Sequence, residues 1–429
     1  MYIIFFLVLS PLFGIISSKV NSKFNIPVIL VLITIGIFLN SSGIFNFLNK
    51  KQIEIATNSY SSVISMGLVF VMAGFNINLD LIKKKLRTMM MISIIPPILV
   101  IALVFPISLL YFKVSNFNTI FGINNNFNAY GTFVFAFMLA VSAPVLVIPS
   151  VIKLNKKYKE IGSTMLAGLM IDNYTLLPLV FCVAIIGIIT NGSNGNLAFP
   201  SLLLLIIGVI VTMALMGVLG FSLGFIINKH FTLKLPPIVR TVIYSILCIT
   251  IMIIMRSLPA IGDILSPFGL IFDILYGFGL RCSFPPEKRP IISLILQKLV
   301  LYFAFPIMFL GLGERVGLHN FLNFKLLGFI VLIFLINRSL KYFIVYQILK
   351  KEGYGKEEKK IGSTLTIFDG AGPINLSIAL TPILLKMGQE SIIVLATLYG
   401  ILTFVTTLIY GETVLSSYCS PSQKSKEQK

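Results

Sequence analysis

Six charged side chains stand inside long apolar runs of this sequence: Asp172, Asp273 and Asp369, and Lys298, Arg338 and Lys341. A charged side chain at the centre of a bilayer costs about 2.5–3.5 kcal/mol on insertion scales, so it needs a partner or a task. The chemistry open to a solitary carboxylate at that depth is to hold a proton, or a dehydrated cation through its oxygens. Asp172, in AGLMIDNYTLLPL, is the clearest candidate; its structural alternative is a neutral or paired helix-packing residue. Arg338, in FLINRSLKY, cannot shed its charge to escape the cost, so it reads as a counter-ion. Lys341, one turn later, and Lys298 have stems long enough to snorkel. Asp273, in FDILYGFGL, is either a further titrating group or the partner of a basic residue. Asp263 and Glu412 fall nearer the ends of their runs, where an interfacial position is expected.

The elements that must position these groups are membrane spans. Of the 429 residues, 57% are hydrophobic and 11% charged, against about 25% charged in soluble proteins. That balance excludes a soluble enzyme, a disordered chain and a secreted disulfide scaffold. A spanning helix needs about 20 mostly apolar residues, and thirteen such runs follow one another: 2–17, 26–46, 59–79, 88–112, 129–152, 161–189, 199–228, 236–255, 259–280, 291–313, 323–349, 361–385 and 391–416. The expected fold is therefore an all-α membrane protein with about thirteen transmembrane helices. It forms one transmembrane domain over residues 1–416 and a short charged tail over 417–429. The formal charge of +19 lies mostly in the loops. The loops after odd-numbered spans, together with the tail, hold 24 of the Lys and Arg residues, and the loops after even-numbered spans hold 7. By the positive-inside rule the rich side is cytoplasmic, so the N-terminus is expected outside, the C-terminus inside and the cell membrane around the protein. The charge reads as topology and contact with anionic lipid, not as a nucleic-acid surface. Cys182, Cys248, Cys282 and Cys419 have no metal-ligand spacing and His230 and His319 stand alone, so neither a metal centre nor a cofactor is implied. There is also no Ser/His/Asp set and no zinc-protease motif, which argues against an intramembrane enzyme.

Two spans carry helix-breaking residues. AVSAPVLVIPS has Pro144 and Pro149 inside the fifth span, and FDGAGPINLS has Gly370, Gly372 and Pro373 inside the twelfth. Proline removes an amide and clashes with the preceding turn, and glycine weakens the helix. Backbone left unpaired at membrane depth is tolerated only inside protein or beside a water-filled cavity. A pair of interrupted spans in corresponding halves of a chain is the sequence sign of a transporter with inverted repeats.

With these residues in view, the chain resembles the monovalent cation:proton antiporters, and among them the sodium/proton antiporter branch. LVFVMAGFNINLDLIKKKL (68–86), AVSAPVLVIPSVIKL (140–154), IGSTMLAGLMIDN (161–173) and LINRSLKY (335–342) carry the likeness in order and spacing. The resemblance implies an inverted-repeat fold with two broken crossing helices and a homodimer, exchanging a monovalent cation (Na+ or Li+, or else K+) for protons. It places Asp172 as the shared cation and proton site, with Asn173 and Thr175 as neutral oxygen ligands and Ser142 and Thr132 as weaker ones. It places Arg338 opposite that site. Asp273 and Asp369 are the candidates for additional titration. Two departures stand out. Asn173 replaces the second acid of the family's pair, which is generally the essential ligand, and Ala371 stands where the second broken helix often has a basic residue. With Asp172 as the single acid, electroneutral exchange is the simplest expectation. Two other readings stay open: a proton- or sodium-coupled carrier of another small solute, and a membrane sensor that transports nothing.

Overall fold

The computed structural model describes residues 10–20, 28–41, 61–77, 79–114, 129–142, 156–192, 199–230, 235–257, 268–315, 323–367 and 390–406, with a few isolated positions beyond them. All the regular elements among the described residues are helices. After a helical stretch over residues 10–20, they are α1 (Val28–Ser41), α2 (Ser61–Phe75), α3 (Leu79–Val114), α4 (Ala129–Ala140), α5 (Lys159–Gly192), α6 (Phe199–His230), α7 (Pro237–Arg256), α8 (Gly269–Ser283), α9 (Arg289–Leu299), α10 (Phe305–Arg315), α11 (Phe324–Lys351), α12 (Lys356–Leu365) and α13 (Glu390–Thr406). A π-helical turn, Val300–Ala304, joins α9 to α10. Among the described residues five helical stretches are long and apolar enough to cross a membrane: Ile82–Phe112, Ile206–Lys229, Pro237–Met255, Pro286–Leu310 and Phe324–Lys351.

The described helices lie along the hydropathy runs, but two begin well before them: α12 at Lys356, five residues ahead of the twelfth run, and α3. The fourth run was expected to begin at residue 88, but α3 starts at Leu79 and runs through the basic stretch KKKLR, with a kink at Lys85. Lys, Leu and Arg are good helix formers. Hydropathy marks only the part of a helix that lies in lipid, so this extension is invisible to it. Pro96, Pro97 and Pro106 remain inside the same helix.

The chain groups into two compact units: residues 1–77 with 207–320, and residues 78–206 with 321–429. In the first, α8 lies between α2 and α6 at very short range. A methyl group on Gly74 would strike the Ile274 carbonyl, and one on Gly277 would strike the Val71 carbonyl. On the other side, Gly220 and Gly224 of α6 meet the Phe272 and Tyr276 carbonyls. Small residues four apart are how membrane helices approach backbone to backbone. The Tyr276 hydroxyl donates to the Tyr244 carbonyl at 2.9 Å, tying α8 to α7.

In the second unit α5 packs against α3, α4 and α12, while α11 packs against α3, α12 and α13. Gly168 lets α5 close onto Ile92 of α3. Ion pairs gather where these helices leave the apolar region: Lys85–Glu160 at 3.3 Å, Arg87–Glu352 at 3.5 Å and Lys157–Glu357 at 3.0 Å. The Tyr158 hydroxyl also donates to Glu357, and the Asn323 side chain caps α11 by accepting from the Leu326 amide.

Candidate ion site

Asp172 sits thirteen residues into α5, about 20 Å along it at 1.5 Å per residue. It is 1% exposed. The element facing it is α4, which ends at Ala140. Val141 still donates its amide to the Phe137 carbonyl at 3.1 Å, but Val141 and Ser142 have left the helix. That departure frees the Ser142 amide, which donates to Asp172 Oδ2 at 3.1 Å. The Ser142 hydroxyl lies 3.5 Å from Lys341 Nζ, and Lys341 is only 2% exposed. A single residue, two positions beyond the end of α4, thus meets a carboxylate through its amide and an ammonium through its side chain.

The rest of the polar centre comes from α11. Asn337 donates to the Leu139 carbonyl at 2.8 Å and to the Tyr399 hydroxyl at 2.6 Å. It thereby satisfies a carbonyl in the last turn of α4, which the helix itself leaves unpaired. Arg338 donates to the Thr366 carbonyl at 3.0 Å and to Thr403 Oγ1 at 3.3 Å, and its guanidinium lies 5.6 Å from the Tyr399 ring centroid. Thr366 is the C-cap of α12, so Arg338 sits at the partial negative charge of a helix end. Two successive residues of α11 therefore serve the ends of two different helices inside one unit.

The residues singled out in the sequence are distributed as follows. Asp172, Ser142 and Arg338 are buried in the second unit, with Lys341 beside Ser142 rather than snorkelling outward. The hydrogen bonds drawn by Arg338 run to Thr366 and Thr403, and Lys341 is the cation that meets Ser142. A signal for Lys341 was present: Asn337, Arg338 and Lys341 are spaced i, i+1, i+4, which puts the first and last on one helix face. Thr132 is buried in α4, eight residues before that helix ends. That is about 12 Å along the axis, farther than the ligands of one ion extend. Asn173 and Thr175 follow Asp172 in α5, and their side chains lie outside the described residues. So do Pro144, Pro149, Asp369, Gly370, Gly372 and Pro373. Asp273 is also 1% exposed, but it belongs to the first unit. There Cys248 Sγ donates to its Oδ1 at 3.2 Å, and Gly67 leaves room for its other oxygen. Lys298 is exposed.

Comparison with known proteins gives the chain a context. The family model for the transmembrane part of sodium/hydrogen exchangers matches residues 4–415. Two solved structures of MjNhaP1 from Methanocaldococcus jannaschii, described as a sodium proton antiporter, are similar in fold. One, at pH 8, has a TM-score of 0.66 at 16% identity, covering 97% of this chain and 99% of that one. The other, from electron microscopy, has a TM-score of 0.59 at 16% identity, covering 96% and 97%. A search of curated proteins found no match.

Proposed function

The chain belongs to the sodium/hydrogen exchanger family, and on that premise we propose that it exchanges Na+ or Li+, with K+ the next cation to try, for protons at Asp172. It is a multi-pass membrane transporter and not an enzyme. The observation that carries the assignment to Asp172 is its buried carboxylate, met by the Ser142 amide, with the Lys341 ammonium at the hydroxyl of the same serine. A carboxylate so placed can be neutralised by a proton or by a cation, and competition between the two for one group is sufficient for obligatory exchange. In the absence of either, the amide and the ammonium offset its charge. In our reading Ser142, Asn173 and Thr175 supply neutral oxygens to the bound cation. One titrating group gives one-for-one, electroneutral exchange. Asp273 is a member of the other unit and engages Cys248, which supports leaving it out of the exchange cycle. Asp172, Ser142, Arg338 and Lys341 all lie on elements of a single compact unit, so they can move together, as alternating access requires.

The test is pH-dye quenching in proteoliposomes pulsed with Na+, Li+ and K+, with the wild type beside Asp172→Asn. Dequenching by one cation that is lost in the variant is the expected result. Undiminished exchange by Asp172→Asn would overturn the assignment of the site. Flux that ignores all three cations but follows an added organic solute would move the protein to a different substrate. Exchange that is unaltered when the membrane potential is clamped is the expected mark of electroneutrality.

A further inference from the structure

In the first unit a cavity of about 370 Å³ opens where α6 ends, α7 begins, α8 ends and the turn Pro286–Lys288 leads into α9. Lys229, Arg240 and Lys288 line it together with Asn228, Phe225 and Phe284. Glu287, the acid of the same turn, is not part of the lining. Two buried polar atoms in this wall, Arg240 Nε and Asn228 Oδ1, have no hydrogen-bond partner among the described residues. Asn228 is held in place by its amide, which donates to the Ser283 carbonyl at 3.0 Å, so its orphan oxygen faces a fixed direction as an acceptor. Two of these cations lie near aromatic rings: Lys229 Nζ is 5.7 Å from the Phe225 centroid and the Arg240 guanidinium 5.8 Å from that of Phe284. The connections 229–235 and 281–290 are both among the basic loops expected on the cytoplasmic side.

We propose that this cavity binds the headgroup of an anionic phospholipid of the phosphatidylglycerol kind. Three cations without an acid among them fit a phosphodiester, and basic pockets between membrane helices are where such headgroups sit. The unpartnered Asn228 oxygen calls for a donor, which a glycerol hydroxyl supplies and a choline does not. The lipid source, as opposed to a free phosphate, is favoured by what flanks the opening. Ile226 on α6 and Ile238, Val239 and Ile243 on α7 are large, apolar and exposed, Ile238 at 58%. Acyl chains anchored by the headgroup would lie along those side chains.

The experiment uses the full chain in detergent, titrated with short-chain phosphatidylglycerol, the matching phosphatidylcholine, or glycerol phosphate, and reads bound lipid by native mass spectrometry. Phosphatidylglycerol is expected to bind in preference. Removing two cations in Lys229→Gln/Arg240→Gln should weaken it about thirtyfold, from the usual contribution of one basic residue near an anionic surface. Because Arg240 also packs against Phe284, Lys288→Gln in the exposed turn is the second variant, with an expected loss of about fivefold on the same basis. Lys298→Gln removes an exposed charge on α9 outside the cavity and should leave binding unchanged. Equal retention of the two lipids would overturn the proposal, as would a loss in Lys298→Gln matching that in Lys288→Gln. Glycerol phosphate binding as tightly as the lipid would overturn the lipid source.

Discussion

The ammonium of Lys341 and the guanidinium of Arg338 sit one turn apart on α11 and have different tasks. Lys341 meets the serine that holds Asp172, so its charge opposes any cation that approaches the carboxylate. Lys341→Gln is expected to lower the half-saturating Na+ concentration several-fold in exchange assays. An unchanged value would place the ammonium outside the cation's reach. Arg338 makes two charge-assisted hydrogen bonds at the end of α12 and beside α13. Arg338→Ala should therefore cost about 2–3 kcal/mol of stability, read as an earlier thermal unfolding in detergent. Arg338→Lys should recover only part of it, because a lysine cannot reproduce the fork. Asp273→Asn keeps an acceptor for the Cys248 thiol and, in the reading above, leaves exchange intact. Loss of exchange with normal folding would bring Asp273 into the cycle.

Helix contacts in the first unit depend on glycines where two backbones meet. On α6, Gly224 faces the Tyr276 carbonyl while Gly208 has no atom near the position of an added methyl. Gly224→Ala should cost about 1–3 kcal/mol by forcing α6 away from α8. Gly208→Ala should be neutral or stabilising by up to about 1 kcal/mol, the helix-propensity gain of alanine. A matching gain in both would mean that propensity, not packing, governs this helix. At the helix ends of the second unit electrostatics takes over. The Tyr158 hydroxyl and the Lys157 ammonium hold the Glu357 carboxyl below its ordinary value of 4.5. A lowered carboxyl stabilises the fold above that value and loses its contribution as the pH falls through the folded one. The hydrogen bond to Glu357 raises the Lys157 ammonium above its ordinary 10.5, so its contribution is present below 10.5 and is lost as the pH rises through the folded value. Both side chains are exposed, so the effect is small and screened by salt. Glu357→Gln should flatten the acid limb of thermal stability at low ionic strength and change little at high salt.

For the molecule as a whole, the alternation of basic loops sets the expected orientation. Thirteen spans would put the termini on opposite sides, with the C-terminus on the basic side. A green fluorescent protein fused after Lys429 should fluoresce, and an alkaline phosphatase in the same place should be inactive. The reverse pattern would mean that one apolar run does not cross. The grouping of residues into two units matters at this scale too. Asp172, Ser142, Arg338 and Lys341 fall in one, and Asp273 with the basic cavity falls in the other. In the readings proposed above, exchange and lipid binding belong to different units of the chain, so a variant in one has a control in the other.

Hydropathy alone determined that this chain is a multi-pass helical membrane protein, because the energy of placing a residue in lipid depends on that residue and its near neighbours. The same local cost marked Asp172, Asp273 and Arg338 as buried charges that need partners, and motif order along the chain identified the family. The partners themselves were decided by tertiary structure. That Lys341 turns inward to Ser142, that Arg338 serves the end of α12, and that Asp273 meets Cys248 in a different unit from Asp172 all depend on which helix faces which. Side chains in lipid-spanning helices are apolar on every face, so the pattern that points a soluble helix toward its core is weak here. What orients these helices is close packing through glycines and a few polar contacts between residues far apart in sequence, and neither is written in any single span.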